Sequence, residues 1–264
     1  QIAALEAQLD LMLFERVGRG LQLTDAGAEM LTHVSAMGNA ADRAAMAAVA
    51  QTRSVEGLVR VTVSEMMAIH YVPQALQRIR ARAPRLRVEV VATDDISDLM
   101  RREADIAIRH VRPDQPDLVA KLIRQAYANF YATTAYLDRR TRPRTEADLA
   151  QHDFVSMGDA ARTLPHMHAL GLPVQIENFR FGATSGAVAW AMACAGLGLI
   201  AIEDRMANLV PQLEHVLPKR PPIEFPIWLA THREIHTSPR IRLVFDILAE
   251  VLAAPSLPKL TSEL

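Results

Sequence analysis

Hydroxyl side chains stand at two places where a strand-like segment gives way to a helical one. Ser64 follows the β-branched run at residues 58–63 and precedes a helix, and Thr184 and Ser185 follow a turn at Gly182. A hydroxyl beside the unpaired amides of a helix N-terminus can hold a carboxylate or another small anion. The alternative is that each hydroxyl only caps its helix, which is the more common role of Ser and Thr at such positions.

Other polar and apolar residues follow the same strands and could shape the body of a ligand. Met66 and Met67 continue the first turn after Ser64, Thr93 and Asp94 end the second strand, and Arg109 and His110 end the third. Glu65 stands at the mouth of this anion site, where an unpaired carboxylate is unfavourable. We expect it to pair with Arg109, to meet a cationic group on the ligand, or simply to remain a solvated glutamate.

Two arginines near the start of the chain could contact nucleic acid. Arg16 and Arg19 flank Gly18 on a tight turn, and arginine on a protruding turn suits phosphate contacts or a narrow minor groove. A solvated charged turn is the alternative, because residues 1–60 hold five Arg against seven Asp and Glu and are therefore not basic.

Motifs of catalysis and cofactor binding are absent from the sequence. It has no G-x-S-x-G turn, no H-E-x-x-H helix and no phosphate-binding loop. Residues 196–201 fit the letters of a dinucleotide fingerprint, but a helical pattern precedes them and a strand follows, so Gly196 is interpreted as a helix end. His166 and His168 have no nearby partner for zinc. We expect no enzyme activity, no cofactor and no metal.

The composition is that of a chain with about two domains. The 264 residues carry a net charge of -1 and one cysteine, Cys194, so no disulfide can form within the chain. A reducing compartment, the cytoplasm, is the natural location. The longest apolar run, residues 187–202, is shorter than the roughly 20 residues of a membrane helix, so no membrane partner is expected.

Alternating strand and helix patterns from Gly57 onward predict an α/β fold. The first set is a strand, a helix, a strand, a short helix and a strand, at residues 58–63, 66–82, 86–92, 96–102 and 104–108. This order argues for a parallel sheet with helices on both faces. A strand near 128–133 leads to a second set, with strands at 154–157, 176–181, 197–202 and 226–230. Helices are predicted at 187–195 and after Ser238.

An alanine-rich segment at residues 26–53 predicts one long helix with a narrow apolar stripe. The stripe consists of residues at three- and four-residue steps: Met30, Val34, Met37, Ala41, Ala44 and Ala48. Small residues on such a stripe let two helices approach closely, so we interpret it as a dimerisation helix. The alternative is a helix that packs on its own domain.

The opening residues resemble the second half of a LysR-type winged helix-turn-helix. In that family the pattern IxxLExxLGxxLFxRxxRGxxLTxAG spans the end of the recognition helix, the wing and the start of the linker helix. The matching segments are Gln1–Glu6, Leu9, Leu13–Arg16, Arg19–Gly20 and Leu23–Gly27. Asp10 stands where the family usually has glycine. The resemblance places Gln1, Arg16 and Arg19 among the residues that contact DNA.

The rest of the chain resembles the sensor domain of the LysR-type regulators more loosely. The segments that carry this likeness are Pro73 with Arg78–Pro84, Ala104–Arg109, Tyr136–Leu137 with Leu149 and His152–Asp153, and Gly196–Ile200. The resemblance implies a partial winged helix-turn-helix at residues 1–25 and a linker helix at 26–56. It further implies a two-lobed domain of the type 2 periplasmic-binding-protein kind at 57–264. Lobe I would span about 57–131 and 232–264, and lobe II about 132–231.

The resemblance also implies a function for the hydroxyl turns. Ser64 and Ser185 would face each other across the cleft between the lobes, with Thr133 at a crossing between them, and would bind a small carboxylate effector. Promoter DNA and a second copy of the chain, in a homodimer or homotetramer, are the other implied partners. Because the family's main base-reading residues precede the position of Gln1, we expect a chain that has lost its first helices and cannot read DNA as given.

Two other functions fit parts of the sequence. A bilobal solute-binding protein would share the fold, but the chain shows no signal peptide and carries the alanine-rich helix before Gly57. An enzyme on a bilobal scaffold would need a convergent set of acid, base or nucleophile, and none is apparent. The leading hypothesis is therefore a transcriptional regulator.

Overall fold

The computed structural model describes residues 2–18, 20–34, 37–38, 55–94 and 104–255. The chain divides into two compact units, residues 1–52 and residues 53–264. Several expectations lie outside the described residues: Gln1, Arg19, the helix at 96–102 and the stripe residues Ala41, Ala44 and Ala48. None of the helices within the described ranges is long and apolar enough to cross a membrane.

The first unit begins with a helix, a hairpin and a second helix: α1 (Ile2–Leu9), β1 (Phe14–Val17), β2 (Gly20–Leu23) and α2 (residues 25–34). The hairpin is antiparallel, with Phe14 opposite Leu23. Thr24 starts α2 as expected, since its hydroxyl oxygen accepts the amide of Gly27 at 3.0 Å. The start of the linker helix is thus fixed by local capping.

Asp10 ends α1 in the left-handed region, with φ of 51°. The amide of Leu11 donates to the carbonyl of Glu6 at 3.2 Å, the wrap-around bond of a helix that ends in this way. Asp10 is the position at which the LysR-type pattern usually has glycine, and glycine adopts a positive φ without steric cost. Asp in place of the usual glycine at position 10 therefore leaves the end of the helix where the pattern predicts it.

The second unit is built on a mixed sheet. Its elements up to residue 133 are β3 (Gly57–Val63), α3 (Glu65–His70), α4 (Val72–Arg82), β4 (Leu86–Ala92), β5 (Ile106–Arg109) and β6 (Leu118–Thr133). Strand β3 pairs in parallel with β4 and β5. Its inward residues Val59, Val61 and Val63 are almost fully buried, which is why the β-branched run forms the centre of this layer.

The remaining elements alternate again. They are α5 (Thr134–Arg139), a 3₁₀ turn (Glu146–Gln151), β7 (Val155–Met157), α6 (Ala160–Ala169), a 3₁₀ turn (Ile176–Asn178), β8 (Phe181–Ala183), α7 (Gly186–Cys194), β9 (Ile200–Glu203), α8 (Asp204–Ala207), β10 (Leu213–Val216), β11 (Ile223–His232) and α9 (Pro239–Ala253). We call the elements around β3–β5, with α3, α4 and α9, lobe I. Those around β7–β10, with α5–α8, are lobe II.

Strands β6 and β11 connect the lobes. They pair antiparallel from Ile223 opposite Ala128 to His232 opposite Leu118, with an irregularity between Ile227 and Trp228. On the lobe I side β11 pairs with β5, and on the lobe II side β6 pairs with β9 and β10. The lobe boundaries expected near residues 131 and 232 stay a prediction, and this pairing favours a change of lobe a few residues earlier in each strand.

Two local expectations differ from the structure. The helix expected at 66–82 is two helices separated at Tyr71, because Pro73 has no amide hydrogen to continue the ladder. The strand expected at 176–181 is a 3₁₀ turn followed by β8, since the side chain of Asn178 accepts the amide of Gln175 at 2.7 Å. The parallel order expected for the first set is confirmed in β3, β4 and β5, and the sheet becomes mixed where β11 joins β5 antiparallel.

Candidate ligand-binding cleft

A cavity of about 470 Å³ lies between lobe I and lobe II. Most of its wall is apolar and rich in methionine, a side chain that adapts to ligands of different shape. The apolar lining residues are Met66, Met67, Ala128, Met157, Ala201, Ile202, Met206, Ile223 and Phe225. The polar lining groups are Ser64, Asp94, His110, Thr184 and Glu203. This is the usual composition of a small-molecule site: an apolar pocket with a few polar groups that orient the ligand.

Ser64 opens the lobe I wall at the start of α3. It occupies the N-cap position, yet its side chain makes no capping hydrogen bond. Its hydroxyl instead lies 3.4 Å from Nε2 of His110, at the end of β5. Both residues line the cavity. The Ser64 hydroxyl therefore faces the cavity and does not cap the helix.

His110 is accessible from the cavity but is surrounded by protein on its other sides. Desolvation of the charged ring lowers its pKa, an effect that outweighs the attraction to Glu203. The ring packs edge-on against Phe225, with centroids 5.2 Å apart. A neutral imidazole at this place can donate or accept one hydrogen bond with a ligand, depending on its tautomer.

Ser185 opens the lobe II wall at the start of α7. Its hydroxyl oxygen accepts the amide of Val188 at 3.3 Å and donates to the carboxylate of Glu65 in lobe I. Ser185 is thus both a helix cap and a contact between the lobes. The neighbouring Thr184 lines the cavity directly.

The first-turn amides of α7 hold carboxylates from lobe I. The amide of Gly186 donates to Oδ2 of Asp94 at 2.7 Å, and the amide of Ala187 donates to Oε2 of Glu65 at 3.2 Å. The other oxygen of Asp94 accepts the amide of Glu65 at 3.1 Å. The N-terminus of α7 binds carboxylate groups, as the partial positive charge of a helix start favours.

Arg109, which was considered as a partner for Glu65, contacts Thr62 and Ile108 instead. Its guanidinium donates to the carbonyl of Thr62 at 3.1 Å, to the hydroxyl of Thr62 at 3.1 Å and to the carbonyl of Ile108 at 2.6 Å. Burial lowers its pKa to about 10. Arg109 points away from the cavity because adjacent residues at a strand end alternate sides, and His110 takes the cavity side.

Two further candidates also lie off the cavity wall. The hydroxyl of Thr133 accepts the amide of Tyr136 at 3.2 Å and caps α5, and the residue is buried. Thr93 continues β4, and its amide donates to the carbonyl of Val63 at 2.9 Å. Of the expected effector residues, Ser64, Met66 and Thr184 line the cavity, while Glu65 and Ser185 meet each other at its edge.

Glu203, Arg124 and Tyr71 form a buried polar cluster, in which Glu203 lines the cavity and the other two lie behind it. The guanidinium of Arg124 lies 2.6 Å from Oε1 of Glu203, and the Tyr71 hydroxyl donates to Oε2 at 2.9 Å. Arg124 also donates to the carbonyl of Leu252 in α9 at 2.8 Å. Burial and the negative charge of Glu203 raise the pKa of Tyr71. The cluster fixes a crossing strand against both lobes at the back of the cavity.

Sequence reasoning named Asp94 and His110 beside Thr93 and Arg109 at the two strand ends, but it selected only Thr93 and Arg109 as effector contacts, and it did not name Glu203. The strand ends were thus located, and from each pair the residue that lies off the cavity wall was selected. The alternation of side chains along β4 and β5 is the signal that could have corrected both selections. Glu203 has no comparable signal, because its role depends on contacts with residues 79 and 132 positions away.

In the first unit, Arg16 lies exposed on strand β1 of the hairpin. Its position leaves the side chain open to a partner. Gln1 and Arg19, the other two residues expected to contact DNA, lie outside the described residues. The three assignments stay predictions.

Comparisons with known proteins match nearly the whole chain. Residues 52–253 match the family model described as LysR substrate binding domain, and residues 1–28 match the model described as bacterial regulatory helix-turn-helix protein, lysR family. The HTH-type transcriptional regulator CrgA of Neisseria meningitidis serogroup C is 24% identical over 261 residues, which cover 95% of this chain and 86% of that relative. The probable HTH-type transcriptional regulator LtrA of Klebsiella pneumoniae is 24% identical over 96% of this chain and 84% of its own length.

Solved structures share the fold. The full-length structure of AphB, a virulence activator of Vibrio cholerae, superimposes with a TM-score of 0.66 at 21% identity, over 94% of this chain and 87% of that chain. The regulatory domain of CrgA superimposes with a TM-score of 0.65 at 21% identity, over 74% of this chain and 98% of that domain.

Proposed function

Because the chain belongs to the LysR family of bacterial transcriptional regulators, we propose that it senses a small effector in the cavity between its two lobes and transmits the bound state to promoter DNA. The observation that supports this most directly is the cavity itself. Its wall combines residues of lobe I, such as Ser64 and Met66, with residues of lobe II, such as Met157 and Thr184. A ligand held by both lobes can favour one relative arrangement of them, which is the requirement for a switch.

We propose further that the effector carries a carboxylate. The N-terminus of α7 supports this, because its amides at Gly186 and Ala187 already donate hydrogen bonds to carboxylate oxygens from within the chain. The hydroxyls of Ser64 and Ser185 would orient the group, and the methionine-rich wall would contact an apolar body. Glu65, Met66 and Thr184 belong to the same proposed site. Arg109, Thr93 and Thr133 would support it from behind the wall rather than touch the ligand.

The transmission step would use the linker helix and a second copy of the chain. Val34 and Met37 of the predicted stripe are at least half exposed in the first unit, and so is the neighbouring Leu31. Exposed large apolar residues on a helix, such as Leu31 and Val34 on α2, suit pairing with an identical helix. We propose a homodimer through this stripe, which could assemble further into a tetramer, and DNA contacts from the hairpin through Arg16, Arg19 and Gln1. Such a regulator would act in the cytoplasm, where the promoter is.

The relatives argue against the other two functions. The match of residues 1–28 to a regulatory helix-turn-helix model does not favour a plain solute-binding protein. The relatives are named transcriptional regulators, which are not enzymes, so the expectation that the chain is not an enzyme is confirmed.

A thermal-unfolding screen tests the sensing step. The panel would contain acetate, succinate, benzoate, salicylate, glycine and alanine, each at several concentrations. A carboxylate that binds the folded chain stabilises it by mass action, by about 2.7 kcal/mol at a hundredfold excess over Kd, and raises Tm accordingly. If neutral analogues such as benzamide shift Tm as much as the acids do, the proposal that the effector carries a carboxylate is contradicted. A panel with no shift from any compound would contradict a small carboxylate effector.

A gel-shift assay tests the DNA step. The full-length protein should retard a fragment of DNA upstream of its own gene, and the affinity should fall steeply with salt because phosphate contacts release counterions. No retardation at low salt would contradict the regulator mechanism.

A further inference from the structure

The N-terminus of α7 is already occupied by the chain's own carboxylates. Gly186 donates its amide to Asp94, Ala187 donates its amide to Glu65, and Ser185 donates its hydroxyl to Glu65. The two acids belong to lobe I, and the three donors belong to lobe II. The contacts therefore join the lobes at the edge of the cavity.

Asp94 is held from both sides. One of its oxygens accepts the amide of Gly186 at 2.7 Å, and the other accepts the amide of Glu65 at 3.1 Å. It thus bridges the first turn of α3 and the first turn of α7. A larger residue at position 186 would require Asp94 to shift, because a Cβ there would lie 2.8 Å from Oδ2 of Asp94 and 3.4 Å from Cγ of Met66. The close approach depends on glycine.

The contacts have the chemistry that an effector carboxylate would use. A carboxylate at a helix N-terminus gains hydrogen bonds from otherwise unpaired amides and a favourable interaction with the helix dipole. With Asp94 and Glu65 in place, the amides of Gly186 and Ala187 are not available to another anion. No Lys or Arg lies among the described residues that line the cavity, so the wall offers an incoming carboxylate no cation in this arrangement.

We propose that Asp94 and Glu65 form an internal carboxylate latch: they close the cleft by occupying the start of α7, and an effector carboxylate must displace them to bind. The proposal rests on the proposed function in taking the effector to be a carboxylate that uses α7. The unliganded lobes would be held together by the latch, and the effector would exchange these contacts for its own. The apparent Kd for the effector is then the intrinsic Kd divided by the fraction of chains in which the latch is open.

Trp190 offers a readout of the latch that needs no effector. It lies on α7, and its ring packs edge-on against His70 of α3, with centroids 6.5 Å apart. The sequence has only one other tryptophan, Trp228. In a Trp228→Phe background the fluorescence reports on Trp190 alone. Opening of the cleft separates α3 from α7, exposes the indole to water and shifts its emission to longer wavelength.

The test compares Glu65→Gln/Asp94→Asn with its Trp228→Phe parent in the full chain. These changes keep the shape of both side chains and remove their charge. We expect the Trp190 emission to shift to the red, and the benzoate concentration for half-saturation to fall at least about threefold, since each carboxylate contributes a factor of about two to five at a partly exposed helix end. Asp114→Asn/Asp246→Asn removes two charges from exposed carboxylates elsewhere and should leave both values unchanged.

A second variant keeps both carboxylates and disturbs the close contact between position 186 and Asp94. Gly186→Ala places a methyl group against Asp94 and should also shift the Trp190 emission to the red. Emission maxima equal to the parent in both variants would overturn the latch, as would an unchanged benzoate half-saturation in a chain that binds benzoate. A red shift in chains that bind no carboxylate at all would support the latch and contradict the carboxylate effector of the proposed function.

Discussion

The carboxylate of Asp94 accepts the amide of Gly186 at 2.7 Å, across a separation of 92 residues in the sequence. Asp94 follows strand β4 in lobe I, and Gly186 begins helix α7 in lobe II. Both residues line the cavity between the lobes. The first turn of α7 therefore both joins the two lobes and would receive the ligand. Ligand binding and the relative arrangement of the lobes are linked at this turn.

The two cavity serines should differ in what they contribute to stability. The Ser185 hydroxyl caps α7 through the amide of Val188, whereas Ser64 makes no side-chain cap bond. Ser185→Ala should lower the free energy of unfolding by about 1 kcal/mol, and Ser64→Ala should change it by less than half of that. Urea unfolding of both variants measures the difference, and equal losses would contradict the assigned roles.

Removing one partner of the buried ion pair between Arg124 and Glu203 should lower the free energy of unfolding. Arg124 is the charged partner of Glu203, whose side chain is only 5% exposed. Arg124→Met leaves that carboxylate only the more distant Arg205, at 3.8 Å, and should destabilise the chain by about 3 kcal/mol. Adding Glu203→Met to this variant should restore part of the loss, because the poorly compensated charge is then gone. A double variant no more stable than Arg124→Met alone would contradict this account.

Gly27 should be required for the packing of the first unit. A Cβ at this position would lie 2.0 Å from the carbonyl oxygen of Leu13, which is backbone and cannot move aside easily. Gly27→Ala should cost about 1–3 kcal/mol of local stability. The measurement is hydrogen exchange of peptides covering residues 11–27, which should accelerate.

Gly38 provides the matched control for this substitution. An added Cβ there meets nothing within 4 Å. Gly38→Ala introduces no clash, and alanine is more favourable than glycine in a helix by about 0.5–1 kcal/mol. Exchange in residues 11–27 should therefore remain unchanged in this variant. Equal acceleration in the two variants would show that the loss of glycine, rather than the clash with Leu13, is responsible.

Stability should fall in mild acid partly through His152. Burial lowers the pKa of His152 below its ordinary value of 6.5, and the ring lies 3.3 Å from the Tyr136 hydroxyl. The folded chain thus favours the neutral ring. The stabilisation is fully present above about pH 6.5 and is lost as the pH falls toward the lower folded pKa, because the unfolded chain then binds the proton first.

His152→Gln isolates this contribution. Glutamine does not titrate, so the variant should lose less stability than the native chain between pH 7.5 and pH 5.5, by at most about 1.4 kcal/mol per pH unit. Urea unfolding at the two pH values gives both losses. Parallel losses in the two proteins would assign the acid sensitivity to other groups.

Much of the fold could be predicted because its signals are local. The β-branched run of β3, the Thr24 cap and the apolar face of α9 each follow from neighbouring residues, and the structure confirms them. The family resemblance of residues 1–27, carried by a dense local motif, is confirmed as well. The helix end at Gly196 agrees with its φ of 75°.

The cavity wall could be predicted only in part because it depends on distant contacts. Ser64 and Thr184 were found from strand-to-helix turns, which are local. The pairing of Glu65 with Ser185 joins residues 120 positions apart, and it was not among the three possibilities that the sequence suggested for Glu65. Which of two adjacent residues at a strand end faces the cavity, Arg109 or His110, depends on the side of the sheet that lobe II covers.

The central claim is that the cavity between the lobes is the effector site, and calorimetric titration of a Met157→Trp variant tests it most directly. Met157 lines the cavity and is 41% exposed, so tryptophan can fill the mouth without disturbing the core. The titrant is the carboxylate that gives the largest Tm shift, and Met12→Trp, at a position 66% exposed in the first unit, is the control. The account predicts a loss of at least about tenfold in affinity for Met157→Trp alone, equivalent to about 1.4 kcal/mol. An unchanged Kd in the Met157→Trp variant would place the effector elsewhere and contradict it.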